Sequence, residues 1–416
     1  MRKIVGWTLI SYVLFGLFIA MYIFYWADTS IPIQYRGSGA DPSTFLNERE
    51  LMLSEEYSQI RNLLFFLSLP FEWIIYLFVL VLGISYKFNT WAQITSKRKI
   101  AQIPIYVFWL SIFVGVLTLP LSWISFTFSK MYNISTQSTS GWLKDRLIDF
   151  WLDFGFLVMI AYALFFLITK AKKRWWFYAW VLSIPFSLFL MFVQPVIIDP
   201  LYNDFYELKN KELEAEILQM AEQANIPADH VFEVNMSEKT NALNAYVTGI
   251  GNNSRIVLWD TTLNRLNEQE ILFIMAHEMG HYVKKHIYFG IAGYLILSLI
   301  GLYLTSKILH FCIHRWKDIL HIRDLSELHS LPLLLLVFSM LTFLASPLEN
   351  VVSRYQEHTA DVYAIDMTKD NEAAIQTFQE LSRAGLSQVN PPFIVKIFRY
   401  GHPTILERIA YIEERK

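Results

Sequence analysis

One cysteine, Cys312, stands in a chain of 416 residues. That scarcity excludes an internal disulfide framework and a zinc site built from thiolates. A lone thiol near the end of an apolar stretch reads as packing filler. Charge is scarce as well: Asp, Glu, Lys and Arg make up 17 % of the sequence, against about 25 % in an ordinary soluble domain. So few charges cannot cover a conventional water-facing surface. The net charge is −2 and no long basic run occurs, which argues against nucleic acid as a partner. Repeats and low-complexity tracts are also missing. Present in their place are 54 % hydrophobic and 16 % aromatic residues, with a mean hydropathy of +0.33.

About 20 apolar residues in a helix cross a roughly 30 Å hydrocarbon layer. Seven stretches qualify, at approximately 4–26, 63–85, 103–128, 150–169, 175–198, 287–306 and 330–348. None carries Lys or Arg at its middle. The first stretch exceeds the roughly 7–15 apolar residues of a cleavable signal peptide, so it reads as an uncleaved span. Glu72, just after Pro70, is the clearest intramembrane charge, and such a charge faces the protein interior or water. The expected organisation is five spans with short loops in 1–198, a polar section in 199–286, two further spans in 287–348, and a second polar section in 349–416. The fold class that follows is mainly α: a multi-pass protein of the cell membrane with seven helices and an α+β domain split around the last two spans.

In the first polar section, Leu208, Leu213, Ile217, Met220 and Ala221 recur at helical spacing. Three strand-like runs follow, "HVFEVNM", "NAYVTGI" and "SRIVLWDTTL", and the Gly/Asn-rich "GIGNNS" between the last two suggests a hairpin turn. Asn267 can cap the next helix, with Glu270 completing a capping box. In the second section "ENVVSRYQEHTADVYAIDM" has a helical pattern, and Pro403 suits the first turn of a final helix.

The residues with chemistry in them begin at His277-Glu278-Met279-Gly280-His281. Histidines four apart share one helix face, about 6 Å apart along the axis, so both imidazoles can reach one zinc ion. Glu278 is then placed to take a proton from a water on that ion, whose acidity the metal raises. The plainer alternative is a pair of core histidines bonded to carbonyls. A catalytic zinc takes a third protein ligand. The long form H-E-x-x-H-x-x-G-x-x-H fails, because Lys284 and Ile287 occupy its glycine and histidine positions and His286 misses by one. Glu357 is the candidate third ligand, with Asp361 four residues on to accept the N–H of a ligating histidine. His358 competes but points roughly 100° away from that face. The further histidines His310, His314, His321 and His329 are expected to form a solvated interfacial cluster.

Four stretches, "NAYVTGIGNNSRIVLWDTTL", "HEMGH", "NVVSRYQEHTADVYA" and "GHPTILER", together with the seven spans, resemble the CAAX prenyl protease 1 family of integral-membrane zinc metallopeptidases. The related heat-shock membrane proteases share the zinc motifs with fewer spans. The resemblance implies a glutamate-zincin-like endopeptidase holding one zinc per chain on His277, His281 and Glu357, with Glu278 as base. It implies a water-filled chamber among the spans with the metal at one end. It further implies that Asn244 and Ala245 form an edge-strand pair holding the substrate backbone, and that His402 and Arg408 of "H-P-x-x-x-x-R" steady the oxyanion, with a structural salt bridge to Asp361 or Glu407 as the competing reading for Arg408.

The expected activity is hydrolysis of peptide bonds in lipid-modified C-termini or in hydrophobic or damaged membrane proteins. A metal transporter or sensor is the competing class, and it would place its ligands within the spans. An intramembrane protease is disfavoured by Glu268, Gln269, Glu270, Lys284 and Lys285 on the motif helix. Lys and Arg number four in each of 86–102, 170–174 and 307–323, against three in each of 26–61 and 129–148. Positive-inside counting therefore puts the catalytic sections outside the cytoplasm, whereas eukaryotic members of the family face the cytosol.

Overall fold

The computed structural model describes residues 2–248 and 255–415. The first half is helical: α1 (Arg2–Met21), α2 (Glu48–Val81), α3 (Ile84–Thr95), α4 (Lys99–Met131), α5 (Thr139–Ala171) and α6 (Trp175–Val193). A mixed section follows, with β1 (Phe205–Glu207), α7 (Lys211–Gln223), β2 (Val231–Val234), β3 (Ala245–Thr248), β4 (Arg255–Trp259), α8 (Asp260–Arg265) and α9 (Glu268–Val283). The long hairpin α10 (His286–Leu320) and α11 (Leu331–Thr368) comes next, then α12 (Asn371–Gly385), α13 (Phe393–Arg399) and α14 (Ile405–Glu414).

Among the described residues, seven helices are long and apolar enough to cross a membrane, those built on α1, α2, α4, α5, α6, α10 and α11. Several overrun the bilayer. With 38 residues, α11 is about 57 Å long at 1.5 Å per residue, nearly twice the ~30 Å hydrocarbon layer. Its apolar part is followed by a more polar extension that carries Glu357 and Asp361.

One end of the spans is tightly packed. There Leu80, Tyr106, Leu110, Trp175, Leu309 and Leu331 form a buried cluster, closed by the Ser85 hydroxyl, which donates to the His329 carbonyl at 2.8 Å. His329 is buried, and its Nε2 donates to the His321 carbonyl at 2.9 Å. This corrects the expectation of a solvated cluster: His310, His314 and His321 are exposed, but His329 is a structural residue that ties two turns together.

At the other end lies a four-stranded sheet in the order β1-β2-β4-β3. β2 and β4 are parallel, and β3 pairs antiparallel with β4 from Ala245↔Leu258 to Thr248↔Arg255. β3 is therefore an edge strand. The sheet packs on α7 and α9 through Leu213, Ile217, Ile256, Leu258, Met275 and Met279. A second cluster joins α9 to α11, α12 and α14, with Phe273 and Phe378 edge to face at 5.5 Å. The polar elements before and after the α10–α11 hairpin thus share one packed body. The connection before α2 and that between α4 and α5 both dock on it: Gly39 N–H donates to Glu413 at 2.8 Å, and Ser135 pairs with Thr240.

Three local expectations change. The run "SRIVLWDTTL" is strand only to Trp259, after which Asp260–Arg265 turn into α8. Pro403 precedes the helix cap and is not in the first turn; Thr404 is the N-cap and forms a capping box with Glu407. β1, three residues long, carries no alternation that marks it as a strand. The hairpin turn expected at "GIGNNS" lies outside the described residues.

Candidate metal centre

Helix α9 starts at a capping box: Asn267 Oδ1 accepts the Glu270 N–H at 3.0 Å, and Glu270 accepts the Asn267 N–H at 2.8 Å. Its buried face, Ile271, Met275 and Met279 among others, faces the sheet. Gly280 then lets α9 approach α11 closely. A Cβ there would lie 3.1 Å from the Cα of Ala360 and 3.2 Å from its carbonyl oxygen. Glycine costs about 1 kcal/mol in a helix interior, and this contact is its structural return.

The approach brings three donor atoms together. His277 Nε2 lies 3.2 Å from His281 Nε2 and 3.2 Å from Glu357 Oε2, and His281 Nε2 lies 3.4 Å from Glu357 Oε1. These are the residues whose ligand atoms gather within 4.8 Å of one another among the described residues. Tetrahedral ligands at 2.0–2.1 Å from a central ion are about 3.3 Å apart, which is the spacing seen. Glu357 Oε2 is buried without a hydrogen bond of acceptable geometry, although nitrogen atoms crowd it. Two imidazoles and a carboxylate converging on one point fit a borderline divalent cation such as zinc.

The electrostatics agree. Burial opposes a charged His277 ring, yet hydrogen bonds with Asp361 and then Glu357 carry its pKa up to about 10. The same negative potential favours a cation between the rings. Burial pushes the Glu278 carboxyl above its usual range. Among the described residues Glu278 has no side-chain hydrogen bond or ion pair, and it remains half-buried beside the donor cluster.

A surrounding layer orients the donors. His277 Nδ1 lies 2.8 Å from Asp361 Oδ1, and Arg408 Nε donates to Asp361 Oδ2 at 2.8 Å while its guanidinium stacks 4.0 Å above Phe378. Arg408 is thereby held behind His277. His402 is largely exposed, with Nδ1 2.7 Å from Glu357 Oε2. His358 turns the other way, its ring centroid 4.5 Å from that of Tyr411. Asn244 is exposed at the start of the edge strand, where its Oδ1 accepts the Ala245 N–H at 3.0 Å; Ala245 itself is buried.

One further partner of His281 carries no motif signal in the sequence. His286 Nδ1 lies 3.0 Å from His281 Nδ1, and its Nε2 lies 3.0 Å from Thr359 Oγ1. The cause is Lys285, whose left-handed backbone (φ 59°) ends α9 and folds His286 back under His281. A non-glycine residue rarely signals such a reversal in sequence.

Two cavities meet at this point. One, of about 840 Å³, is walled by apolar residues of α6 and α10 such as Leu188, Met191, Ile291 and Leu295. The other, of about 390 Å³, lies toward Phe378 and Arg399. Asn244, Ala245, Glu278 and His402 line both.

Residues 207–416 match the family model described as Peptidase family M48, and residues 40–204 match that described as CAAX prenyl protease N-terminal, five membrane helices. The chain is 52 % identical over its whole length to an uncharacterized metalloprotease, YhfN, of Bacillus subtilis (strain 168), covering 98 % of it. It is 28 % identical to the CAAX prenyl protease 1 homolog of Dictyostelium discoideum, over 73 % of this chain and 71 % of that one. The crystal structure of S. mikatae Ste24p aligns with a TM-score of 0.77 over 98 % of this chain and 97 % of that one, at 21 % identity, a likeness of fold.

Proposed function

The chain belongs to peptidase family M48, and from that premise we propose a single zinc ion per chain, held by His277, His281 and Glu357, as the working centre of this multi-pass membrane metallopeptidase. The observation that carries the proposal is the convergence of those donors beside an unpartnered Glu278, where two cavities join. Zinc held there would lower the pKa of water and polarise a carbonyl. The rest falls to the chain's own side chains.

Glu278 takes the proton of the attacking water and passes it to the departing amine. Its raised pKa suits both tasks, since a base poised nearer the working pH also serves as an acid. Asp361 accepts from His277 Nδ1 and fixes the ring so that Nε2 faces the ligand cluster. Arg408 holds Asp361 in turn, which makes it a positioning residue. His402, the exposed ring beside Glu357, is the donor nearest to where an oxyanion develops. A substrate strand adds to the open edge of β3, with Asn244 releasing the Ala245 N–H for the substrate carbonyl.

The apolar wall of the larger cavity favours substrates with an apolar or lipid-bearing segment. In this reading the catalytic end faces away from the cytoplasm, since the loops 86–102, 170–174 and 307–323 hold four Lys and Arg each and the opposite loops 26–61 and 129–148 hold three each. A transporter or sensor is not favoured, since the donors lie on α9 and on the polar extension of α11 and not among the spans. The test is Glu278→Gln. Loss of peptide cleavage by roughly 10²–10⁴-fold, with zinc retained at one per chain, supports the scheme; cleavage at the wild-type rate overturns it.

A further inference from the structure

A third cavity, of about 530 Å³, lies against the second face of the sheet. Ala245, Ile256 and Leu258 turn inward to the core shared with α9. Side chains alternate along a strand, so Tyr246 and Trp259 point the other way, and Val234, paired with Trp259, points with them. These three line the cavity together with Met191 and Phe192 of α6 and with Asp199 and Asn203 of the segment that follows α6. None of the described residues lining it is Lys, Arg or His. Asp199 has no side-chain hydrogen bond or ion pair among the described residues, and Asn203 Oδ1 is buried with no donor. Burial raises the pKa of the Tyr246 hydroxyl to about 12 and the negative charge of Asp199 adds to the rise, so the carboxylate is within electrostatic reach of that ring.

Acceptors without donors are costly to enclose, and the aromatic faces beside them attract cations. One ligand chemistry meets both conditions: a cationic head on a long apolar stem. Arginine fits better than lysine, because its planar fork donates to two acceptors at once and stacks on rings. The cavity adjoins the path already assigned to substrate. It shares Met191, Tyr246, Val247 and Ile287 with the large apolar cavity, but with the small one only Asn244. It therefore lies on the large cavity's side of the bond held at Glu278. A substrate strand paired along β3 passes Tyr246 within about three residues of that bond, and alternation lets only every second side chain turn towards this face.

We propose that Asp199 and Asn203 form a subsite for an arginine side chain of the substrate, within about three residues of the cut bond on the side of the large cavity. This rests on the peptidase reading above, and it adds a sequence preference: one cationic residue held in a fixed register with the metal.

The test uses the full-length Glu278→Gln protein in detergent with zinc. A fluorescein-labelled apolar peptide is titrated in versions that carry a single arginine, moved residue by residue through an otherwise neutral sequence. At one position arginine is expected to bind roughly ten- to a hundredfold more tightly than glutamine, as gain of a charge-assisted contact implies. Its immediate neighbours should show little gain, and lysine at the favoured position should fall between. Asp199→Asn should bring the arginine-to-glutamine ratio towards one, Asp199→Glu should keep part of it, and Asp199→Lys should turn the preference to glutamate. Equal binding of arginine and glutamine at every position overturns the subsite, and needs no variant that could misfold. A gain of the same size at all positions, or one that survives Asp199→Asn, overturns it as well, since a general attraction of cations or a site elsewhere would produce either result. Wild-type cleavage of the same peptides separates the two readings. An arginine preference in a protein that cuts nothing sinks the peptidase scheme alone, whereas cleavage with binding indifferent to arginine sinks the subsite alone.

Discussion

Gly280 and Ala360 meet backbone to backbone: a Cβ on the glycine would stand 3.1 Å from the alanine Cα. The contact lies beside His281 on one helix and between Glu357 and Asp361 on the other, so it sets the distance across which the donors face one another. In Gly280→Ala the added methyl meets main chain, which cannot swing aside. Overpacking of this kind costs about 1–3 kcal/mol, more than the ~1 kcal/mol gained in helix propensity. The variant should unfold at lower temperature and bind zinc more weakly, as calorimetry and metal titration will show. An unchanged zinc affinity would break the link between this contact and the site.

Asp361→Asn replaces a charged acceptor with a neutral amide at the 2.8 Å contact to His277 Nδ1 and leaves Arg408 buried without its carboxylate. Zinc affinity is expected to fall about 10- to 100-fold. Arg408→Lys, which keeps a charge but not the fork on Asp361, should show a smaller loss. Competition with a chromogenic chelator measures both.

His286→Ala should weaken zinc binding without touching the donor set, because His281 Nδ1 loses the partner 3.0 Å away. Thr359→Val removes only the outer contact of that relay and should have an effect of the same sign and smaller size. If His286→Ala binds zinc like the wild type, the relay is packing alone.

Because the donors come from α9 and α11, zinc should clamp the two helices together. Stripping the metal with a chelator lowers the melting temperature in this view, and added zinc restores it by an amount that grows with the logarithm of free metal. A melting point indifferent to zinc would show that the donors are not joined by the ion.

Orientation is open to a labelling experiment. With Cys312 replaced by serine, a cysteine placed at the exposed Glu216 of α7 should react with a membrane-impermeant maleimide on intact cells. Labelling only after lysis would reverse the proposed topology.

What the sequence made legible follows from the range of the forces involved. Long apolar runs announce spans by length alone, and all seven appear as helices. The histidine pair and the Glu357/Asp361 pair are each four residues apart on one helix, so each half of the donor cluster can be read locally; Gly280 then joins the halves. Ala245 begins the outer strand of the sheet and Asn244 precedes it. Features that depend on a turn or on distant packing were not legible. His286 is swung into place by a left-handed lysine, His329 is buried by turns from two hairpins, and Asp199 comes near Tyr246 only when the segment after α6 folds over the sheet.

α10 and the apolar part of α11 stand in sequence between the two halves of the donor cluster. A chain still emerging from the ribosome therefore holds His277 and His281 long before Glu357 has been synthesised, and Glu357 reaches them only after both membrane passes are complete. On the proposed ligand set, the site therefore stays incomplete during synthesis until the apolar run of α11 has been made.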